Sequence, residues 1–80
     1  MPISAVKVDA TAVDVRVTDE QLTVILADGR ELSALLAWFP RLLEATDAQR
    51  RRWRPIGRGQ GIHWPEIDED VSVASLLRAA

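Results

Sequence analysis

Val13, Val15 and Val17 alternate with Asp14, Arg16 and Thr18, the two-residue period of a strand with one face turned inward. Val6 and Val8 repeat that pattern weakly, so residues 1–12 read as an N-terminal extension or an extra strand. After the polar turn DEQ, the run LTVILADGRELSALL reads as two strands around Asp28-Gly29, a strong hairpin signal. A two-residue loop would set Val24 opposite Ser33. A three-residue loop of Ala27, Asp28 and Gly29 sets Val24 opposite Leu32 and Leu22 opposite Ala34. The second register gathers the apolar residues on one face, and it predicts a left-handed Gly29.

The period then changes. In AWFPRLLEATDAQRRRW, Pro40 suits the first position of a helix, where its missing N–H has no partner to lose. Phe39, Leu42 and Leu43 share the predicted inner face. Thr46 followed by Gln49 has the spacing of a capping box, so one helix stops near Ala45 and a second runs to about Arg52. Pro55 and the glycines at 57, 59 and 61 break helical order between Ile56 and Ile62, giving a glycine-rich hairpin or one strongly bent strand. Pro65 ends that ladder. The acids of PEIDED then read as a solvated turn facing the positive end of a helix capped by Ser72, with Val73, Leu76 and Leu77 turned inward.

Strands and helices are segregated along the chain, so the class is α+β: a small antiparallel sheet of three N-terminal strands plus the glycine-rich strand or hairpin, packed against two or three short helices. Eighty residues predict a single domain, 1–80, with a modest core. With no cysteine there is neither a disulfide framework nor a thiolate metal site. The start MPISAVKVDA has no basic n-region or apolar h-region, and no run approaches a membrane span, so a soluble cytoplasmic chain is expected. Net charge is −2, which argues against a dedicated nucleic-acid binder, yet QRRRWRPIGRG and PEIDED form local fields of opposite sign.

Candidate chemistry is sparse. The stretch GIHWPEIDED holds the chain's one histidine, but His63 with Glu66, Asp68 or Asp70 falls short of a zinc set, and the spacing of a calcium loop is missing. Strand alternation puts His63 and Trp64 on opposite faces, and Ile62 is grouped here with His63 as a structural or interfacial face. Asp68 and Asp70 lack the concave, desolvated setting that would separate the pKa values of an acid and a base. GRGQG lacks the Gly-Lys-Ser/Thr ending of a phosphate loop. No catalytic residue, metal or cofactor is expected, and the chain reads as a non-enzyme.

What remains is interface chemistry. RRRWR interleaves tryptophan with arginine, as a phosphate-pairing and base-stacking surface would, so nucleic-acid binding through Arg50–Arg54 is an alternative. The plainer reading packs Trp53 on the sheet and leaves the arginines solvated. Trp38, Trp53 and Trp64 exceed what so small a core readily encloses, and exposed tryptophan beside arginine is what protein interfaces favour. The candidate partner-binding residues are Trp38, Arg51, Trp53, Arg54, Arg58 and His63.

The segments DVRVTDEQLTVILADGR and AWFPRLLEAT, and above all RRRWRPIGRGQGIHWPEIDEDVSVASLL, resemble the small bacterial proteins of the domain of unknown function 2442 family. The likeness runs from about Val13 to Leu77. It departs at SALLAW, where relatives often carry a proline in place of Leu35. The resemblance implies a small α+β domain without assigned catalytic residues. It also implies a co-encoded partner, a small protein of the domain of unknown function 4160 family, in an arrangement similar to toxin–antitoxin operons. A protein-interaction or regulatory module, antitoxin-like or self-associating, is the function expected.

Overall fold

The computed structural model describes residues 7–79, in which six strands and three short helices follow one another. β1 (Ala12–Val17), β2 (Gln21–Leu26) and β3 (Glu31–Leu35) form one antiparallel sheet in that order. A 3-10 turn at Leu36–Trp38 leads into α1 (Pro40–Leu43) and α2 (Asp47–Arg51). β4 (Arg54–Ile56), β5 (Gly61–Trp64) and β6 (Glu69–Ser72) make a second antiparallel sheet, and α3 (Val73–Ala79) follows. The α+β class holds, but the glycine-rich hairpin belongs to a second sheet and does not extend the first.

The β2–β3 register is the one that the apolar pattern selects. Val24 faces Leu32 and Leu22 faces Ala34, with Gly29 at φ +93°. Leu22, Val24 and Leu26 are fully buried as a result. β1 departs from the simple alternation. A bulge between Ala12 and Asp14 shifts the phase, so Ala12 and Val15 face the core while Val13 is half exposed. Of the N-terminal stretch, Val6 lies outside the described residues. Residues 7–11 form no strand, although Asp28 and Ala27 donate their N–H groups to the carbonyls of Asp9 and Thr11.

Pro40 opens α1, and Thr46 and Gln49 form both halves of the capping box. α1 has so few residues that only one side chain per turn reaches the core. Leu42 is fully buried, whereas Leu43, about 100° further round, is exposed. The same rotation leaves Leu77 exposed beyond Val73 and Leu76 on α3. Ser72 caps that helix by accepting the Ser75 N–H at 3.0 Å.

The glycine-rich stretch is a hairpin. Ile56 pairs with Gly61, and the loop between them runs through Gly57, Arg58 and Gly59 with φ values of +58°, +58° and +82°. Gly59 also touches the first sheet. Its carbonyl accepts the Ala12 N–H at 2.8 Å, and a side chain there would run into the Thr11 methyl. The acidic run is not simply a solvated turn. Only 65–68 turn, with Asp68 at φ +51°, and Glu69 to Ser72 pair with β5 as a strand. Ile62 and Trp64 share the inner face of β5, both fully buried, so the grouping of Ile62 with His63 is corrected by the alternation of the strand.

Candidate functional site: a groove between β1 and α2

The site starts from an arginine that the sequence does not distinguish from its neighbours. Arg50 is only 7% exposed, contrary to the expectation of a solvated cluster. Its Nε donates to the Leu42 carbonyl, which also accepts the Ala45 N–H, and its Nη2 donates to the Leu43 carbonyl, both at 3.0 Å, so the guanidinium caps the C-terminal carbonyls of α1. Nη1 pairs with Asp19 at 3.0 Å and approaches Asp47 at 3.5 Å. The Arg50 carbonyl in turn accepts the indole N–H of buried Trp64 at 3.0 Å. One residue thereby ties α1, α2, the β1–β2 turn and β5 together, with no charge left over for a ligand.

Because Arg50 points inward, Arg51 turns the other way. Together with Asp47, Trp53 and part of Arg50 it walls a groove of about 410 Å³ whose opposite side is Val15, Arg16 and Val17 of β1. Trp53 is half buried and packs against the core. Arg16 is engaged by Glu31 across the outer face of the first sheet. Arg52 pairs with Glu66 at 2.7 Å. Of the run Arg50–Arg54, Arg51 and Arg54 are therefore the arginines without an ion pair among the described residues.

The remaining candidates lie elsewhere. His63 sits on the outer face of the second sheet between Arg54 and Asp70 in the cross-strand register. Its Nδ1 is bonded to the Asp70 carboxylate, and its side chain is 18% exposed. Arg58 stands exposed at the tip of the glycine hairpin, and Trp38, 54% exposed, projects from the 3-10 turn. Thus Arg51 and Trp53 are brought together, Arg54 and His63 are neighbours on another face, and Trp38 and Arg58 join neither. Spacing from Asp47 does not single out the Arg50 brace, because Arg50 at i+3 and Arg51 at i+4 both lie on the Asp47 side of α2.

Elsewhere the titratable groups are structural. Asp28 accepts from the Arg30 side chain and backbone and from the Asp9 N–H, which holds its carboxyl down to about 2. Asp9 is also lowered, chiefly by its hydrogen bond with Thr11. Among the described residues no three His, Asp or Glu side chains gather as a metal site would require. No helix among them is long and apolar enough to cross a membrane.

Comparison with known proteins agrees with this fold. Residues 12–80 match the model of the family described as "Protein of unknown function (DUF2442)". The chain belongs to this family. The DUF2442 match begins at the first residue of β1 and so takes in both sheets and all three helices. A crystal structure of a protein of unknown function from Rhodospirillum rubrum is similar at 25% identity and a TM-score of 0.72, over 86% of each chain. No curated protein matches.

Proposed function

We propose that this DUF2442 protein is a non-enzymatic protein-interaction module whose partner contacts the groove between β1 and α2. The observation that carries the reading is Trp53, half buried, beside Arg51, which has no ion pair among the described residues, and across from the edge formed by Val15, Arg16 and Val17. Tryptophan and arginine are the side chains that most often dominate protein interfaces. The partner we propose is the co-encoded small protein of the domain of unknown function 4160 family, with this chain as the antitoxin-like member.

Co-purification of the tagged chain with that neighbouring gene product tests the reading. We expect the wild type to retain it, and Arg51→Glu and Trp53→Ala each to weaken retention at least about tenfold, about 1.4 kcal/mol. A folded wild-type chain that ignores the neighbour throughout the micromolar range overturns it.

A further inference from the structure

The backbone facing the groove can be assigned donor by donor. At the β1–β2 turn Thr18 donates its N–H to the Gln21 carbonyl at 2.9 Å. Bonded and non-bonded pairs alternate along an antiparallel ladder. Counting back through Val17 opposite Leu22, Arg16 opposite Thr23 and Val15 opposite Val24, the peptide groups of Arg16 turn toward β2. Those of Val15 and Val17 turn away. β1 is an end strand of its sheet, so they form an open edge. A separate contact agrees: the Val15 N–H is held at 2.8 Å by the carboxylate of its own neighbour Asp14, and not by β2. The Val15 carbonyl accepts no hydrogen bond from another element among the described residues, and there the Val17 N–H donates none and its carbonyl accepts none.

That edge is one side of a slot. The opposite wall is Asp47, Arg50, Arg51 and Trp53, and the end toward Ala12 is closed by the bond to Gly59. We propose that the slot receives an extended segment of a partner protein, added to the first sheet beside β1 and carrying an acidic side chain that meets Arg51. The inference rests on the protein-interaction reading and specifies how the partner binds. Strand addition uses the main chain for affinity and alternate side chains for selection. Successive side chains of the added segment point to opposite faces, so one acid reaches Arg51 while its neighbours cover Trp53. The charge follows from what is already paired: Arg16 has Glu31, Arg50 has Asp19 and Asp47, and Arg51 has no ion pair among the described residues. A second folded copy is a poor occupant, because its own β1 edge lies behind the same wall and the same Gly59 closure.

The test uses the full chain and a terminally blocked synthetic peptide, Thr-Val-Glu-Val-Thr, followed by amide NMR. Saturable shifts at the Val15 and Val17 amides and the Trp53 indole are expected at up to millimolar peptide. A Thr-Val-Lys-Val-Thr peptide should bind at least about tenfold more weakly, since the Arg51 contact becomes repulsive. Val15→Pro deletes an N–H that β2 does not use, as edge strands tolerate, and should lower affinity by a similar factor. The absence of shifts at Val15 and Val17 in the wild type overturns the proposal whether or not that variant folds. If the co-encoded protein binds wild type and a folded Val15→Pro equally, the interaction module stands and strand addition fails. Shifts at Arg51 and Trp53 produced only by a single-stranded oligonucleotide would also overturn it.

Discussion

The two sheets have the same number of strands and are held in different ways. The first contains two strands of six residues and one of five, and it fills its inner face with Val15, Leu22, Val24, Leu26 and Ala34 from its own strands. Each strand pairs with one that follows it after a short turn. The second has strands of three, four and four residues and buries fewer side chains, Ile62, Trp64 and Val71, the indole being the largest. Trp64 is wholly buried, and its N–H ends on the carbonyl of Arg50, a residue in a helix and not in the sheet. A sheet with long strands and its own aliphatic face is stabilised from within, whereas a short-stranded sheet borrows order from the helices that brace it.

The largest expected effect comes from removing that brace. Arg50→Ala strips one hydrogen bond from the Leu42 carbonyl, which keeps the Ala45 N–H at 3.2 Å, and one from the Leu43 carbonyl. A cost of about 3 kcal/mol is expected in denaturant unfolding. Native-state hydrogen exchange should quicken at Ile62–Trp64 more than at Leu22–Leu26, and equal quickening would mean that the sheets do not differ in their support. Gly59→Ala attacks the point where the sheets touch. The left-handed backbone alone costs about 1–2 kcal/mol with a side chain, and Thr11 must also move. Loss of protection at the Ala12 amide would mark the separation.

The smallest effect belongs to acid and concerns the first sheet. Asp28, lowered from the usual 3.8 to about 2, and Asp9, also lowered, bind protons less readily when folded than when unfolded. Their contribution is therefore complete above about pH 4 and is lost as the pH falls from 3.8 toward 2. Melting temperature measured across that window should decline, and Asp28→Asn should flatten the decline. A slope unchanged by Asp28→Asn would remove the hairpin tip as its source.

The same contrast explains what was legible in the sequence. Local chemistry specified the β2–β3 register, Pro40, the Thr46–Gln49 box and the Ser72 cap, because each needs only residues a few positions apart. The Val13 bulge was hidden, since an alternating valine run looks the same with or without a phase shift. β6 was hidden by its acids: Asp70 is at home in a strand because His63 and Arg54 stand in its cross-strand row. Nothing local distinguishes Arg50 from Arg51 and Arg52. Which of them enters the core depends on where the last carbonyls of α1 lie. Arg51 and Trp53 were identified as candidates by residue type, but the groove they share with β1 arises only from the tertiary arrangement.

The carboxylate of Asp14 carries one more consequence. An uncovered strand edge is a template for any other extended chain, including misfolded copies of the same protein, and bare edges of this kind seed aggregates. By bonding the Val15 N–H, Asp14 occupies a donor at the centre of the unpaired edge and sets a negative charge beside it. A charge placed on an edge strand is one of the means by which folded proteins keep such edges from pairing indiscriminately.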